Sequence, residues 1–105
     1  MGKEDIKRVR EFARKISKHL DVKKVILFGS RARGDSLKHS DFDVIVISKD
    51  FEKIPFSRRA IILYDDWKHD ISLEVLCYTP EEFKEKKGQI SIIKEVIKEG
   101  IEIIG

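Results

Sequence analysis

Asparagine is absent from the 105 residues, glutamine occurs once, and there are one cysteine, one tryptophan and two prolines. The single thiol, Cys77, excludes an internal disulfide framework, and in an apolar run it reads as core filler rather than nucleophile. No apolar stretch approaches the ~20 residues of a membrane span. No signal peptide precedes the charged N-terminus, so a cytoplasmic location with no membrane association is expected. No repeat, linker or low-complexity segment is visible. A net charge of +3 is too small to argue for a duplex without a clustered patch, and no aromatic-plus-basic motif supplies one, so direct nucleic-acid binding is not expected. What the chain does have is charge and aliphatic bulk: 39% charged and 41% apolar residues, with Lys, Glu and Ile abundant, a bias like that of thermophile proteins. Such a composition and length suit one soluble globular domain over 1–105 with a modest core.

The most informative stretch is 25–47. Val25-Ile26-Leu27-Phe28 and Val44-Ile45-Val46-Ile47 are short, β-branched and bounded by turn signals, which predicts two buried strands. The loop between them opens with Gly29-Ser30 and closes with Ser40-Asp41-Phe42-Asp43. Glycine removes the Cβ that would block close approach, so a strand ending in Gly-Ser can aim N–H groups and a hydroxyl at an anion. Asp41 and Asp43 are two apart and leave the same strand face, ~6–7 Å apart along the chain. Mg²⁺ takes oxygen ligands, commonly one or two carboxylates plus substrate phosphates. A phosphate cradle beside a carboxylate pair is what nucleotidyl transfer needs. Each half alone is weak, since a Gly-Ser turn is common and Asp-x-Asp is usually a solvated strand end. Together, between two core strands, they point to a site.

Elsewhere, Ile6, Val9, Phe12, Ala13, Ile16 and Leu20 fall at helical spacing over 3–20, which predicts an amphipathic helix covering the sheet. Its basic residues read as a solvated face, and His19 as exposed and favourable to the helix dipole. Gly34-Asp35 reads as a turn, and Lys38 and His39 as loop bystanders. Residues 56–68 should be helical, with Ile61, Ile62, Tyr64 and Trp67 as apolar members; Tyr64 and Trp67 could stack a base but more commonly pack. Residues 70–79 predict a third strand with Ser72, Glu74 and Tyr78 on one wet face. A carboxylate inside such a run is costly unless paired or metal-bound, and a strand beside the second would put Glu74 where Asp41 and Asp43 point. Asp70, at the strand entrance, is the competing acid. Thr79-Pro80-Glu81-Glu82 is a helix start, with Gly88 expected to break that helix. A last helix over 89–99, with Ile92, Ile93, Val96 and Ile97 inward, and a short strand or tail at Ile101–Ile104 complete the chain.

Gly29-Ser30-Arg31-Ala32-Arg33-Gly34 followed by Ser40-Asp41-Phe42-Asp43 resembles the signature of the polymerase-β-type nucleotidyltransferase superfamily. More narrowly, the chain is similar in length and element order to the minimal nucleotidyltransferases (MNT or MntA-like proteins) that accompany HEPN partners in prokaryotes. The resemblance implies an α/β fold: a small twisted mixed sheet with helices mainly on one face. It implies transfer of AMP from ATP to a hydroxyl with release of pyrophosphate. Asp41 and Asp43 would hold two Mg²⁺ ions, and Glu74, where the minimal proteins more often carry Asp, would share a metal or take the acceptor's proton. Gly29, Ser30, Arg31, Arg33 and Ser40 would bind the nucleotide, with Arg31 or Arg33 as charge support. The implied partner is a HEPN-type toxin, modified on a tyrosine, because the chain has no residues left for the extra lobe of larger relatives. Two alternatives stand beside this reading: an antitoxin that only masks its partner, and transfer to a small molecule.

Overall fold

The computed structural model describes residues 3–34, 40–89, 93–94 and 98–104. The N-terminal helix α1 (Lys3–Ile16) presents Val9, Phe12, Ala13 and Ile16 as its buried stripe, with Glu4 and Asp5 in the first turn and Arg14 and Lys15 in the last, the charge order that suits a helix dipole. It ends at Ile16, earlier than the apolar spacing suggests, and the chain turns through Ser17–His19. The Ser17 hydroxyl donates to the Ala13 carbonyl at 2.7 Å. His19 is exposed as expected, but its partner is Asp66, 2.8 Å from Nε2, rather than the helix end.

Four strands follow the expected order: β1 (Val22–Phe28), β2 (Phe42–Ser48), β3 (Leu73–Tyr78) and β4 (Ile101–Ile104). They form one sheet in the order β3-β2-β1-β4. β1 pairs antiparallel with both β2 and β4, while β2 and β3 run parallel. Side-chain alternation sorts the strands onto two faces. Val25, Leu27, Phe42, Val44, Val46, Val75 and Cys77 pack with α1 and Phe51. On the other face Ile26, Ile45, Ile47 and Tyr78 meet Phe83 and Ile93. Cys77 is 2% exposed and burial pushes its thiol up to about 12, so it is a core residue without nucleophilic character. Among the described residues no helix is long and apolar enough to cross a membrane.

The remaining helices are α2 (Ser30–Arg33), α3 (Phe56–Leu63) and α4 (Pro80–Gln89). At α4 the Thr79 hydroxyl accepts from the Glu82 N–H at 3.1 Å, and Glu82 accepts from the Thr79 N–H at 2.9 Å. This reciprocal cap is the arrangement the Thr79-Pro80-Glu81-Glu82 run predicts. α4 continues through Gly88 rather than stopping there: Gly88 keeps an ordinary φ with open space around it. Glycine weakens a helix interior by about 1 kcal/mol without forbidding it. Of the last helix expected over 89–99, Ile93, Lys94, Lys98 and Glu99 are helical; Ile92, Val96 and Ile97 lie outside the described residues, as do Asp35, Lys38 and His39.

α3 departs furthest from expectation. It stops at Leu63 and a 3-10 turn covers Tyr64–Asp66. Ile61, Ile62 and Tyr64 are exposed, while the buried residues are Leu63 and Arg59. Arg59 donates to the carbonyls of Ile54 and Cys77 and to both carboxylate oxygens of Glu82, with Phe51 and Phe56 under its guanidinium. One charged side chain therefore occupies the inward position expected of an isoleucine. Trp67 lies edge-on between Phe12 and Phe42 and donates to the Ile71 carbonyl; it packs. The Arg59 guanidinium, then burial acting against it, then the Thr79 N–H set the Glu82 carboxyl, with a net shift below the ordinary carboxylate range. A lowered carboxyl contributes stability above its unfolded value that is lost as pH falls through the folded one. Thermal melts of Glu82→Gln and the parent should therefore differ at neutral pH and converge in acid; a gap independent of pH would contradict this role.

Candidate active site

Phe28 closes β1 and the backbone turns at Gly29 with φ 74° and ψ −159°, a conformation that favours glycine. The close approach matters as much as the angle. A Cβ on Gly29 would stand 2.5 Å from Oδ2 of Asp43, so the backbone lies directly against that carboxylate. The amides of Ala32 and Arg33 both return to the Gly29 carbonyl at 3.1 Å, and Gly34, left-handed at φ 81°, donates to the Ser30 carbonyl at 2.9 Å. Gly29-Ser30 is thus the corner of a single tight turn rather than an open loop.

Sheet register brings the acids to this corner. Phe28 pairs with Asp43 across the antiparallel ladder, and Asp43 pairs with Glu74 across the parallel one. Asp43 and Glu74 therefore share a face, and Asp41, two residues ahead, projects to the same side by alternation. They stand on the face that holds Ile45 and Ile47, toward its open end. Asp43 is half-buried, and Asp41 and Glu74 are exposed. Burial first, then the charges of Glu74 and Asp41, raise the Asp43 carboxyl above its ordinary value, with Arg33 acting in the opposite direction. Side chains from α2, the entry of β2 and β3 thus act together on Asp43. Asp70 precedes β3 in an exposed bend and does not share the Asp43 register.

The two loop arginines part company. Arg33 is exposed, reaches Glu99 at 3.8 Å and acts on Asp43. Arg31 is 7% exposed; it donates to the Ser40 carbonyl at 2.8 and 3.2 Å and to Asp5 at 3.2 and 3.4 Å, and stacks 4.5 Å over Phe42. A guanidinium expected beside a phosphate is instead turned inward, where it ties α1 to the residue preceding Asp41. Ser40 enters this contact through its carbonyl. Asp5, in the first turn of α1, is the anchor that no motif announces.

The donor set is all-carboxylate, and like charges left uncompensated beside a partly buried acid favour a cation. Among the described residues, no group of three or more His, Cys, Asp or Glu side chains is gathered closely enough to hold a metal ion by itself. Mg²⁺ commonly takes only one or two protein carboxylates and completes its shell with water and substrate phosphates. Asp43 and Glu74, with Asp41 beside them, fit such an ion.

A family model described as a nucleotidyltransferase domain matches residues 6–101. A Methanocaldococcus jannaschii protein named as a candidate protein adenylyltransferase is 34% identical over 104 residues, 95% of this chain and 99% of that one. The crystal structure of a candidate nucleotidyltransferase from Sulfolobus solfataricus superposes with a TM-score of 0.63 at 20% identity, over 92% of this chain and 77% of that one. A toxin–antitoxin structure with AMP-PNP gives 0.61 at 18% identity, over 95% and 73%. These two structures share the fold of this chain, a mixed four-stranded sheet with helices. With a family model spanning nearly the whole chain, the protein belongs to the nucleotidyltransferase domain family.

Proposed function

We propose that the chain is a Mg²⁺-dependent adenylyltransferase that moves AMP from ATP to a hydroxyl, a tyrosine of a HEPN-type toxin partner, and so acts as its antitoxin in the cytoplasm. The observation that carries this reading is the register placing Asp43 between Glu74 and the Gly29 backbone. The relative named for protein adenylyl transfer and the fold shared with a toxin–antitoxin structure with AMP-PNP support the donor and partner. Two Mg²⁺ ions held by Asp41, Asp43 and Glu74 would stabilise charge on the attacking and leaving oxygens of an in-line displacement.

The chain's own residues bind and orient. Gly29 and Ser30 hold the β- and γ-phosphates, Arg33 offsets their charge, and Arg31 is a positioning residue that fixes Ser40 and hence the entry of β2. Glu74 holds the acceptor side or takes the hydroxyl proton. The bond formed is from the acceptor oxygen to the α-phosphorus; the bond broken releases pyrophosphate.

Ser30→Ala should weaken ATP binding by about tenfold to a hundredfold, the equivalent of one hydrogen bond to a charged oxygen. Gly29→Val should bind ATP at least as poorly, because its side chain displaces Asp43. Normal ATP affinity in Gly29→Val, measured by calorimetry with Mg²⁺, would remove the cradle.

The test is mass spectrometry of the partner after incubation with ATP, Mg²⁺ and the enzyme. Addition of AMP units by the parent, their strong loss in Glu74→Gln with ATP affinity retained, and their survival in Asp70→Asn are expected. Full neutralisation of the toxin by the Asp41→Asn, Asp43→Asn double variant would instead favour masking, and efficient transfer to an aminoglycoside with an unmodified partner would favour a small-molecule acceptor.

A further inference from the structure

The exposed side of α3 and the turn after it is self-complementary, and we propose that it joins two copies of this chain in an antiparallel, two-fold contact. Arg58, Ile61 and Ile62 follow the i, i+3, i+4 spacing that places residues on one stripe of α3, and Asp65 lies in the 3-10 turn directly after it. All four are exposed, Ile61 to 65% and Ile62 to 44%. Neither the Arg58 nor the Asp65 side chain has an ion-pair or hydrogen-bond partner among the described residues. The neighbouring charges are engaged: Arg59 holds Glu82, and Asp66 holds His19. Among the described residues, this surface therefore carries one unpaired cation at its start, one unpaired anion at its end and two aliphatic side chains between them.

A two-fold axis between Ile61 and Ile62 sets Arg58 of each copy against Asp65 of the other and Ile61 against Ile62. Isologous contacts require this reciprocity. A parallel pairing would oppose Arg58 to Arg58 and Asp65 to Asp65, so charge selects the antiparallel direction. Beside the stripe a groove of about 310 Å³ is lined by His19, Leu20, Ile62, Leu63, Asp65 and Asp66. With Ile62 on its wall, it lies where Ile61 of the second copy would face. No residue of the stripe belongs to the candidate site, so association and transfer can be measured separately.

Sedimentation velocity of the purified full chain across the micromolar range reads the outcome directly. The parent should rise with concentration toward twice the 12.3 kDa of one chain. Arg58→Asp alone and Asp65→Arg alone should each weaken self-association at least tenfold, because every exchange creates two like-charge contacts. The double variant Arg58→Asp, Asp65→Arg restores both pairs and should recover the parent's behaviour. Ile62→Lys should leave a monomer. Unchanged thermal melts would show that these surface substitutions leave the fold intact. A parent chain that is monomeric throughout, or one whose stripe binds only a different protein, would overturn the proposal. So would a double variant no better associated than the single ones.

Discussion

Asp43→Asn is expected to abolish nucleotidyl transfer, by about a thousandfold or more, without lowering thermal stability. Charge stabilisation at a metal-assisted centre is worth several kcal/mol, and each 1.4 kcal/mol is tenfold in rate. The stability half follows from the surroundings. Asp43 is half-buried beside Glu74 and Asp41, and its carboxyl is raised by burial and by their charges. A raised carboxyl means that the folded state resists ionisation, so at neutral pH the ionised Asp43 subtracts from stability. Asparagine removes that repulsion at similar volume. The variant should melt at or above the parent temperature at pH 7, with the difference closing in acid as Asp43 itself becomes protonated. Mg²⁺ with ATP should raise the melting temperature of the parent by mass action and leave that of the variant nearly unchanged. A sharp fall in melting temperature would mean that Asp43 is structural.

The second large effect concerns Arg59 and the fold alone. Arg59→Met should destabilise the protein by about 2–4 kcal/mol, because it takes the guanidinium donors from two backbone carbonyls at ~1–3 kcal/mol each, whereas the Glu82 carboxylate, 40% exposed, returns to water. Arg59 is 5% exposed and links the Ile54 carbonyl, the Cys77 carbonyl in β3 and Glu82 in α4. Methionine fills the volume but strands the two carbonyls. Urea unfolding measures the loss. A change below 1 kcal/mol would show that water replaces the guanidinium.

These two residues mark what the sequence makes legible. The runs at Val25–Phe28 and Val44–Ile47 are local signals, and β1 and β2 contain them. Thr79 to Glu82 is a capping box with all its partners within four residues, so it too can be read in one dimension. Glu74 could be placed beside Asp43 because alternation fixes the face once the strands are neighbours. α3 fails the same logic. A helix of eight residues carries little periodicity, and Arg59 can be buried only because Glu82 and two carbonyls, distant in sequence, receive it. With Arg59 and Leu63 inside, Ile61 and Ile62 are turned outward. The contacts of Arg31 are illegible for a similar reason: its partner Asp5 is 26 residues away, and nothing in the loop itself separates a guanidinium facing phosphate from one facing α1.

The most direct test of the central claim follows a phosphorus label. The purified chain, the proposed HEPN-type partner and Mg²⁺ are incubated with ATP labelled at either the α- or the γ-phosphate. The account predicts that α-label becomes covalently attached to the partner, that γ-label appears in pyrophosphate, and that both events vanish in Asp43→Asn. Transfer of γ-label to the partner, or α-label transfer undiminished in Asp43→Asn, would contradict it.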